Sequence, residues 1–440
     1  MQVSDNKKNK IMKTGKVLLL FLSVAFFLLS AGCSDNGRNG SVLPDADNGG
    51  LILPEGFSAL VVADTLGAGR HIAVRKNGDI YLALRRLKNG NGLVALRDED
   101  GDGHADIINY YANTLTTGMD VDDNYLYFSN FTDVYRVPLS EGDLLPAEEP
   151  VAIVSGFPLQ TQHPDKTFAL DGIGNIYVNV GAPSNACQEK DRTPGSPGMD
   201  PCPLLELQAG IWKFRADIPG QKQVPDGRRY AYGIRNSIAL AWNHVNEKLY
   251  VVQHGRDQLY QFYPELYTPQ EGAELPAEEF LLVEDGDFFG WPYCYYDQFK
   301  KQKLLAPEYG GDTEATGRCM DAKDPIMAFP GHLAPNDLLF YTGNQFPERY
   351  RNGAFIAFHG SWNRAPEVQE GYYVAFVPFK DGLPSGEMEV FADGFAGVEV
   401  VKSPGNAVYR PMGLAQGPDG SLYISDSEKG RIWRVIYTGN

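Results

Sequence analysis

One unit recurs along this chain: an alternating strand pattern, a turn built on Gly, Asn or Asp, and a second strand carrying Tyr. It reads HIAVRKNGDIYLALR at 71–85 and GMDVDDNYLYFSN at 118–130, followed by DVYRVPL. The third copy is TFALDGIGNIYVNVG at 167–181, with its partner strand GIWKFRAD delayed to 210–217. The fourth is IALAWNHVNEKLYVVQH at 238–254, with QLYQFYP expected as its third strand. The fifth diverges, around GAFIAFHGSWNR (353–364) and YYVAFVPF (372–379), and the sixth is MGLAQGPDGSLYISDSEKGRIWRVIY at 412–437. Alternation around such turns predicts hairpins. A single sheet of this kind cannot bury both faces, whereas six arranged radially bury each face on a neighbour. The prediction is an all-β chain folded as a six-bladed β-propeller with long rim loops. The early strand 57–62 is expected to complete the last blade. The insertions 182–209 and 284–335 are expected to wall a pocket.

The first residues lie outside this pattern. Lysines precede an apolar run at 17–29 and then Ser30-Ala31-Gly32-Cys33. The run is short for a membrane span and ends in small residues, as in an export leader. It resembles a bacterial lipoprotein signal, which implies a leader over 1–32, lipidation at Cys33, and a place in the cell envelope, periplasm-facing or at the cell surface. Residues 33–52 read as a flexible tether and 53–440 as the folded domain. Net charge is −17, and the leader's five lysines against Asp5 leave the remainder at −21. Such a surface repels nucleic-acid phosphates. Four further cysteines permit three pairings, with export favouring disulfides. Cys187–Cys202 with Cys294–Cys319 is preferred, because it staples the two long loops.

Two stretches carry chemistry. The segment Asp98 to Asp106, DEDGDGHAD, places carboxylates at Asp98, Asp100, Asp102 and Asp106 with Gly103 for a sharp turn. This spacing points to a calcium-stabilised turn with a structural role. In the central stretch 230–260, Arg235-Asn236 precedes one strand and His254-Gly255-Arg256-Asp257 ends the next. In one blade, both would lie near one mouth.

The ordered pieces QHPDKTFALD, YGIRN, QHGRDQL, FFGWP, FHGSWNR and RPMGLA resemble the glucose/sorbosone dehydrogenase family, on its sorbosone and pyranose dehydrogenase side. The resemblance implies pyrroloquinoline quinone and Ca2+ as cofactors, a small sugar substrate, and an external electron acceptor, either a quinone pool or a cytochrome. It implies His163 as the base taking the hydroxyl proton, because imidazole titrates near neutrality. It implies Arg235 and Asn236 beside the quinone, with the Arg fork suited to carboxylates and to a polarised oxygen. Arg364 and Arg410 match positions that hold cofactor carboxylates, and His254, His359 and Trp362 are expected to line the pocket. The backbone carbonyls of Gly255 and Arg256 are expected to hold the active-site calcium. The loop GAPSNAC (181–187) lacks the acidic residue of the glucose-oxidising branch. Two other readings stay open: a calcium-dependent propeller lactonase or hydrolase, and a non-catalytic propeller that binds glycans or proteins.

Overall fold

The computed structural model describes residues 42–439. The expected leader and Cys33 lie outside them. Six sheets, each with four antiparallel strands, form the six blades of a propeller, and short parallel strands Gln221–Lys222 and Asp287–Phe288 extend the second and third of them. Blade 1 is Gly69–Val74, Ile80–Lys88, Asn91–Arg97 and Ile107–Tyr111. Blade 2 is Met119–Val121, Tyr125–Ser129, Val134–Pro138 and Val151–Ser155, and blade 3 is Phe168–Leu170, Asn175–Val180, Gly210–Arg215 and Arg228–Tyr232. Blade 4 is Ala239–Asn243, Lys248–Gln253, Glu278–Val283 and Met327–Phe329. Blade 5 is Pro335–Phe340, Ala354–Phe358, Tyr373–Val377 and Glu389–Ala392. Blade 6 takes three strands from the end of the chain, Pro411–Gln416, Leu422–Asp426 and Ile432–Tyr437, and its outermost, Phe57–Ala63, from the start. The pairing Phe57↔Tyr437 through Val61↔Trp433 closes the ring as expected.

The alternation becomes packing between blades. Leu82, Val94 and Tyr423 pack between blades 6 and 1. Tyr81, Leu126 and Phe128 do so between blades 1 and 2, and Tyr177, Leu240 and Val251 between blades 3 and 4. Each sheet thus removes both faces from water only because a neighbour covers it, which is the main reason a single blade would not fold. Phe57 anchors the closing strand edge-on against Phe346, Tyr350 and Phe391, at 4.8–5.3 Å between ring centres.

Three expectations are corrected. The segment 258–264 is not the third strand of blade 4: Leu259–Phe262 is a helical turn. Its apolar residues Leu259, Phe262 and Tyr263 are spaced three and four apart, and they pack on Tyr267, Tyr295 and Leu304 of the rim. The third strand is Glu278–Val283, paired Val251↔Leu281. The stretch 284–335 is not all rim loop, since Met327–Phe329 is the outermost strand of blade 4 and the innermost strand of blade 5 begins at Pro335. The second half of the expected tether is docked. Asp45 and Asn48 accept the amides of Val61 and Ala59 at 2.9 and 3.0 Å, and Leu51 is buried in the core between blades 5 and 6.

The two long insertions are joined into one rim body. Cys187–Cys202 and Cys294–Cys319 form as expected. The four cysteines share a cluster with Trp291 and Tyr293. No helix of the described residues is long and apolar enough to cross a membrane.

Candidate active site

At one end of the propeller the chain enters each innermost strand and leaves each second strand. His163, Arg235-Asn236, His254, His359 and Arg410 lie in these connections, and Arg70 lies at the entry of the innermost strand of blade 1. The fields of Arg235 and His254 act on His163, and those of His254, Arg410 and Arg70 act on His359. The mouth is therefore one continuous belt running through blades 3, 4, 5, 6 and 1.

His163 has a positive φ of 47° and is held in place by its surroundings. The side-chain amide of Gln160 donates to the carbonyls of Gln162, His163 and Gly181 at 2.8–2.9 Å. His163 Nδ1 lies 2.6 Å from the Ala182 carbonyl, which can only accept, so Nδ1 carries the proton and Nε2 offers its lone pair to the mouth. Burial, with the nearby Arg235 charge, holds the ring down to about 3, so it is neutral across the working range. Gly181 lies under it: a Cβ there would meet Asn236 Oδ1 at 2.6 Å and His163 Cβ at 2.8 Å. Gly181→Ala should therefore leave the blades folded and displace the imidazole. The expected cost in turnover is about 100-fold, read as kcat of the loaded protein with unchanged far-UV circular dichroism.

Arg235 is buried, and its guanidinium is surrounded. Nε donates to the Asn185 carbonyl (3.2 Å), NH1 to the Gly255 carbonyl (2.8 Å), and NH2 to Asn185 Oδ1 (3.1 Å) and Asp257 Oδ2 (2.8 Å). Arg192 reaches the same Asp257 oxygen at 2.6 Å, and Asn363 donates to its Oδ1 at 2.9 Å. Against the cost of burial, Arg235 and Arg192 hold Asp257 well below the usual carboxylate range. Asn236 is buried and accepts from Asn179 at 3.3 Å. His254 donates through Nε2 to the Pro335 carbonyl at 2.7 Å, and burial lowers it to about 4. Arg410 donates to the carbonyls of His359 (3.1 Å) and Gly360, with Glu428 3.6 Å away. Trp362 stands half exposed beside Ser361 and Asn363.

Arg364 is the exception. Its Nε donates to the Val368 carbonyl, NH1 to those of Ala273 and Gly331, and NH2 to Glu274 at 2.7 Å and toward Glu370 at 3.2 Å. These partners use up the fork and clamp the rim helix Pro269–Glu274 to the chain before blade 5. No donor is left for a cofactor carboxylate, and the expected binding role is replaced by a structural one.

Sequence reasoning passed over several residues of the mouth. Asn185 and Arg192 belong to the loop stapled by Cys187–Cys202, and that staple was the signal for a shaped rim. Arg70 reaches across the channel, from Met412 of blade 6 (3.6 Å) to Asp165 before blade 3 (2.8 Å). Arg85 is exposed and makes no ion pair among the described residues; partial desolvation and its neighbours Arg70 and Arg86 lower it. The buried Nε of Arg70 has no partner either.

This donor set fits a polyanionic quinone: arginines in excess of carboxylates at the far side of the mouth, and a buried guanidinium next to a neutral imidazole. For calcium, the mouth offers oxygen. The Gly255 carbonyl faces Arg235, and beneath the loop Glu278 accepts the amides of Gly255 (2.9 Å) and Ala334 (3.3 Å), with burial pushing it up to about 8. Among the described residues, the one compact group of three acidic or histidine ligands is elsewhere, at Asp98, Asp100 and Asp106 in blade 1. There Asp98 accepts the amides of Gly101 and Gly103 at 2.7 and 2.8 Å, while Asp102 stands outside the group and accepts the amide of His104.

The family model described as TrAA12-like matches residues 51–438. A pyrroloquinoline quinone-dependent pyranose dehydrogenase of Coprinopsis cinerea is 25% identical over 279 residues, covering 55% of this chain and 36% of that protein. A pyrroloquinoline quinone-dependent sugar dehydrogenase of Hypocrea jecorina is 22% identical over 418 residues, covering 87% of this chain and 88% of that protein. The chain spans about half the length of an uncharacterized protein of Borreliella burgdorferi, with 30% identity over 209 residues and 48% of that protein covered. The calcium structure of a Trichoderma reesei protein of carbohydrate-active family AA12 shares the fold, with a TM-score of 0.70 and 18% identity over 88% of this chain and 97% of that one. The match to the family model across all six blades makes this chain a member of the TrAA12-like family.

Proposed function

We propose that this protein is a pyrroloquinoline quinone- and calcium-dependent dehydrogenase that oxidises an aldose or sorbosone-like sugar and passes the electrons to an external acceptor. The observation that carries this reading is the His163–Arg235 pairing at the mouth: a neutral imidazole with a bare Nε2 beside a buried guanidinium. The names of the Coprinopsis and Hypocrea relatives support the same chemistry. When bound, the quinone supplies the hydride acceptor and the calcium a Lewis acid.

The chain's own part is positioning and proton transfer. His163 Nε2 takes the hydroxyl proton as the sugar carbon gives up its hydride, with Nδ1–H anchored on Ala182 to keep the ring aimed. Arg235, fixed by Asn185 and Asp257, presents positive charge where negative charge develops. Arg70, Arg85 and Arg410 are assigned to the cofactor's carboxylates, and Gly255 and Arg256 to the calcium. Asn236, His254 and Trp362 line the pocket. Asp98, Asp100 and Asp106 are assigned a second, structural calcium. The lysine-flanked apolar run before Cys33 supports a location in the bacterial envelope on a lipid anchor at that cysteine. The experiment is titration with the quinone in the presence of calcium, followed by dye reduction with a panel of aldoses.

The hydrolase reading calls for acidic and Asn side chains turned into the channel mouth. At the mouth the carboxylates are taken up by arginines, Asp257 by Arg235 and Arg192 and Asp165 by Arg70, which favours the dehydrogenase.

The lowered His163 also sets a pH dependence. In the folded chain it stays neutral down to about 3, against an ordinary 6.5, so its contribution to stability is complete above 6.5 and lost as pH falls toward 3. Urea unfolding at pH 7 and pH 4.5 should show a loss for the native protein that is smaller in His163→Gln. The difference is at most about 1.4 kcal/mol per pH unit.

A further inference from the structure

Beneath the mouth, Arg70 and Met412 form a floor, and under it the channel is crossed by His71 of blade 1, Asp120 of blade 2 and Asp337 of blade 5. Beyond them a cavity of about 300 Å³, walled by the innermost strands, opens toward the opposite end of the propeller. His71 and Asp337 are more than nine-tenths buried. Neither the sugar chemistry nor the proposed calcium sites use any of the three.

One hydrogen bond fixes which nitrogen of His71 carries the proton in the neutral ring. Its Nδ1 lies 3.1 Å from the carbonyl of Thr117, which can only accept, so Nδ1 holds the proton. Nε2 is then an acceptor in the neutral ring and a second donor in the protonated one. It is buried, has no hydrogen-bond partner, and points at Asp337 Oδ1, 3.6 Å away. Nε2 and a carboxylate oxygen facing each other inside a protein call for a positive charge between them, a proton or a metal ion. No Lys or Arg lines this cavity, and its titratable groups are His71, Asp120, His244 and Asp337.

The arrangement has the features of a metal ligand pair. A histidine anchored through its other nitrogen on a carbonyl, and a carboxylate already accepting amides, form the usual outer support of a metal centre. Asp337 accepts the amides of Leu338 (2.8 Å) and Leu414 (2.7 Å). Two ligands 3.6 Å apart, each about 2.1 Å from a shared ion, subtend about 118°, close to tetrahedral. Asp120 lines the same cavity without completing a compact three-ligand shell. An imidazole nitrogen selects a first-row divalent ion such as zinc over calcium, which takes oxygen.

We propose that His71 Nε2 and Asp337 Oδ1 bind a first-row divalent metal ion at the waist of the channel, with Asp120 in its outer sphere. The ion would tie blade 1 to blade 5 across the ring. The test uses the whole protein, stripped with chelator, loaded with zinc alone, desalted and assayed for metal, together with crystals soaked in zinc and measured at its absorption edge. The expected result is an anomalous peak between His71 and Asp337 and a loss of about tenfold or more in waist-bound zinc in His71→Asn and in Asp337→Asn. Asp98→Asn should retain the peak. A wild-type channel with no peak would overturn the proposal whether or not the variants fold, and so would unchanged zinc retention in both folded variants.

Discussion

His163→Ala is expected to bind the quinone with calcium as the native protein does and to lose sugar-dependent dye reduction by about 10²- to 10⁴-fold, the usual share of a general base. In this imidazole Nδ1 is committed to Ala182, and Nε2 has no protein partner. The nearby His254 cannot take over through Nε2, which is committed to the Pro335 carbonyl. His359 cannot either, since its Nε2 is paired with Ser427 Oγ at 2.7 Å. Turnover by His163→Ala within a few fold of the native rate would remove His163 from the chemistry.

Arg235→Met is expected to damage both turnover and the fold. The guanidinium is the hub of Asn185, Gly255 and Asp257, and its loss leaves a buried carboxylate with one of two cationic partners. Breaking a buried pair in this way costs about 3–5 kcal/mol. With Arg192 still in place, the lower end is expected in urea unfolding. Arg235→Met combined with Asp257→Asn should recover part of that stability and none of the activity. Arg235→Lys should also fail in turnover, because an ammonium cannot span the two Asn185 oxygens, Gly255 and Asp257 that the fork holds together. If Arg235→Met kept native stability, the buried hub would not be structural, and if it kept native turnover, the charge would not be catalytic.

The blades were legible because a hairpin is a local object. Alternation and an Asn, Asp or Gly turn are enough to mark Ala239–Asn243 with Lys248–Gln253, whose register Leu240↔Val251 follows from that pattern. Three strands of blades 4 and 5, Glu278–Val283, Met327–Phe329 and Pro335–Phe340, escaped where long insertions separate partners. Glu278–Val283 comes after two short helices, and the run 258–264 offered a nearer but helical alternative. The innermost strand of blade 5 begins with Pro335 and carries Asn336 and Asp337, polar for the channel rather than alternating for a sheet face.

The site was legible wherever a residue sits at a blade's end, since the fold itself carries His163, Arg235, His254 and Arg410 to one mouth. It was not legible where a side chain's partner is chosen by tertiary contact. Arg364 follows a blade 5 strand as Arg410 precedes a blade 6 strand, yet Glu274 of a rim helix claims it. Asn185 and Arg192 lie in a loop without periodicity, and only folding shows that they grip Arg235 and Asp257. Arg70 lies at the start of a strand like many others, and its reach across the channel to Asp165 is a property of the ring.

The most direct measurement is absorbance-monitored titration of the purified protein with pyrroloquinoline quinone and calcium, followed by dye reduction with aldoses. Saturable binding that depends on calcium, together with sugar-dependent reduction that His163→Ala abolishes, is the predicted result. A protein that binds no quinone, or that binds it and reduces dye equally with and without His163, would contradict the account.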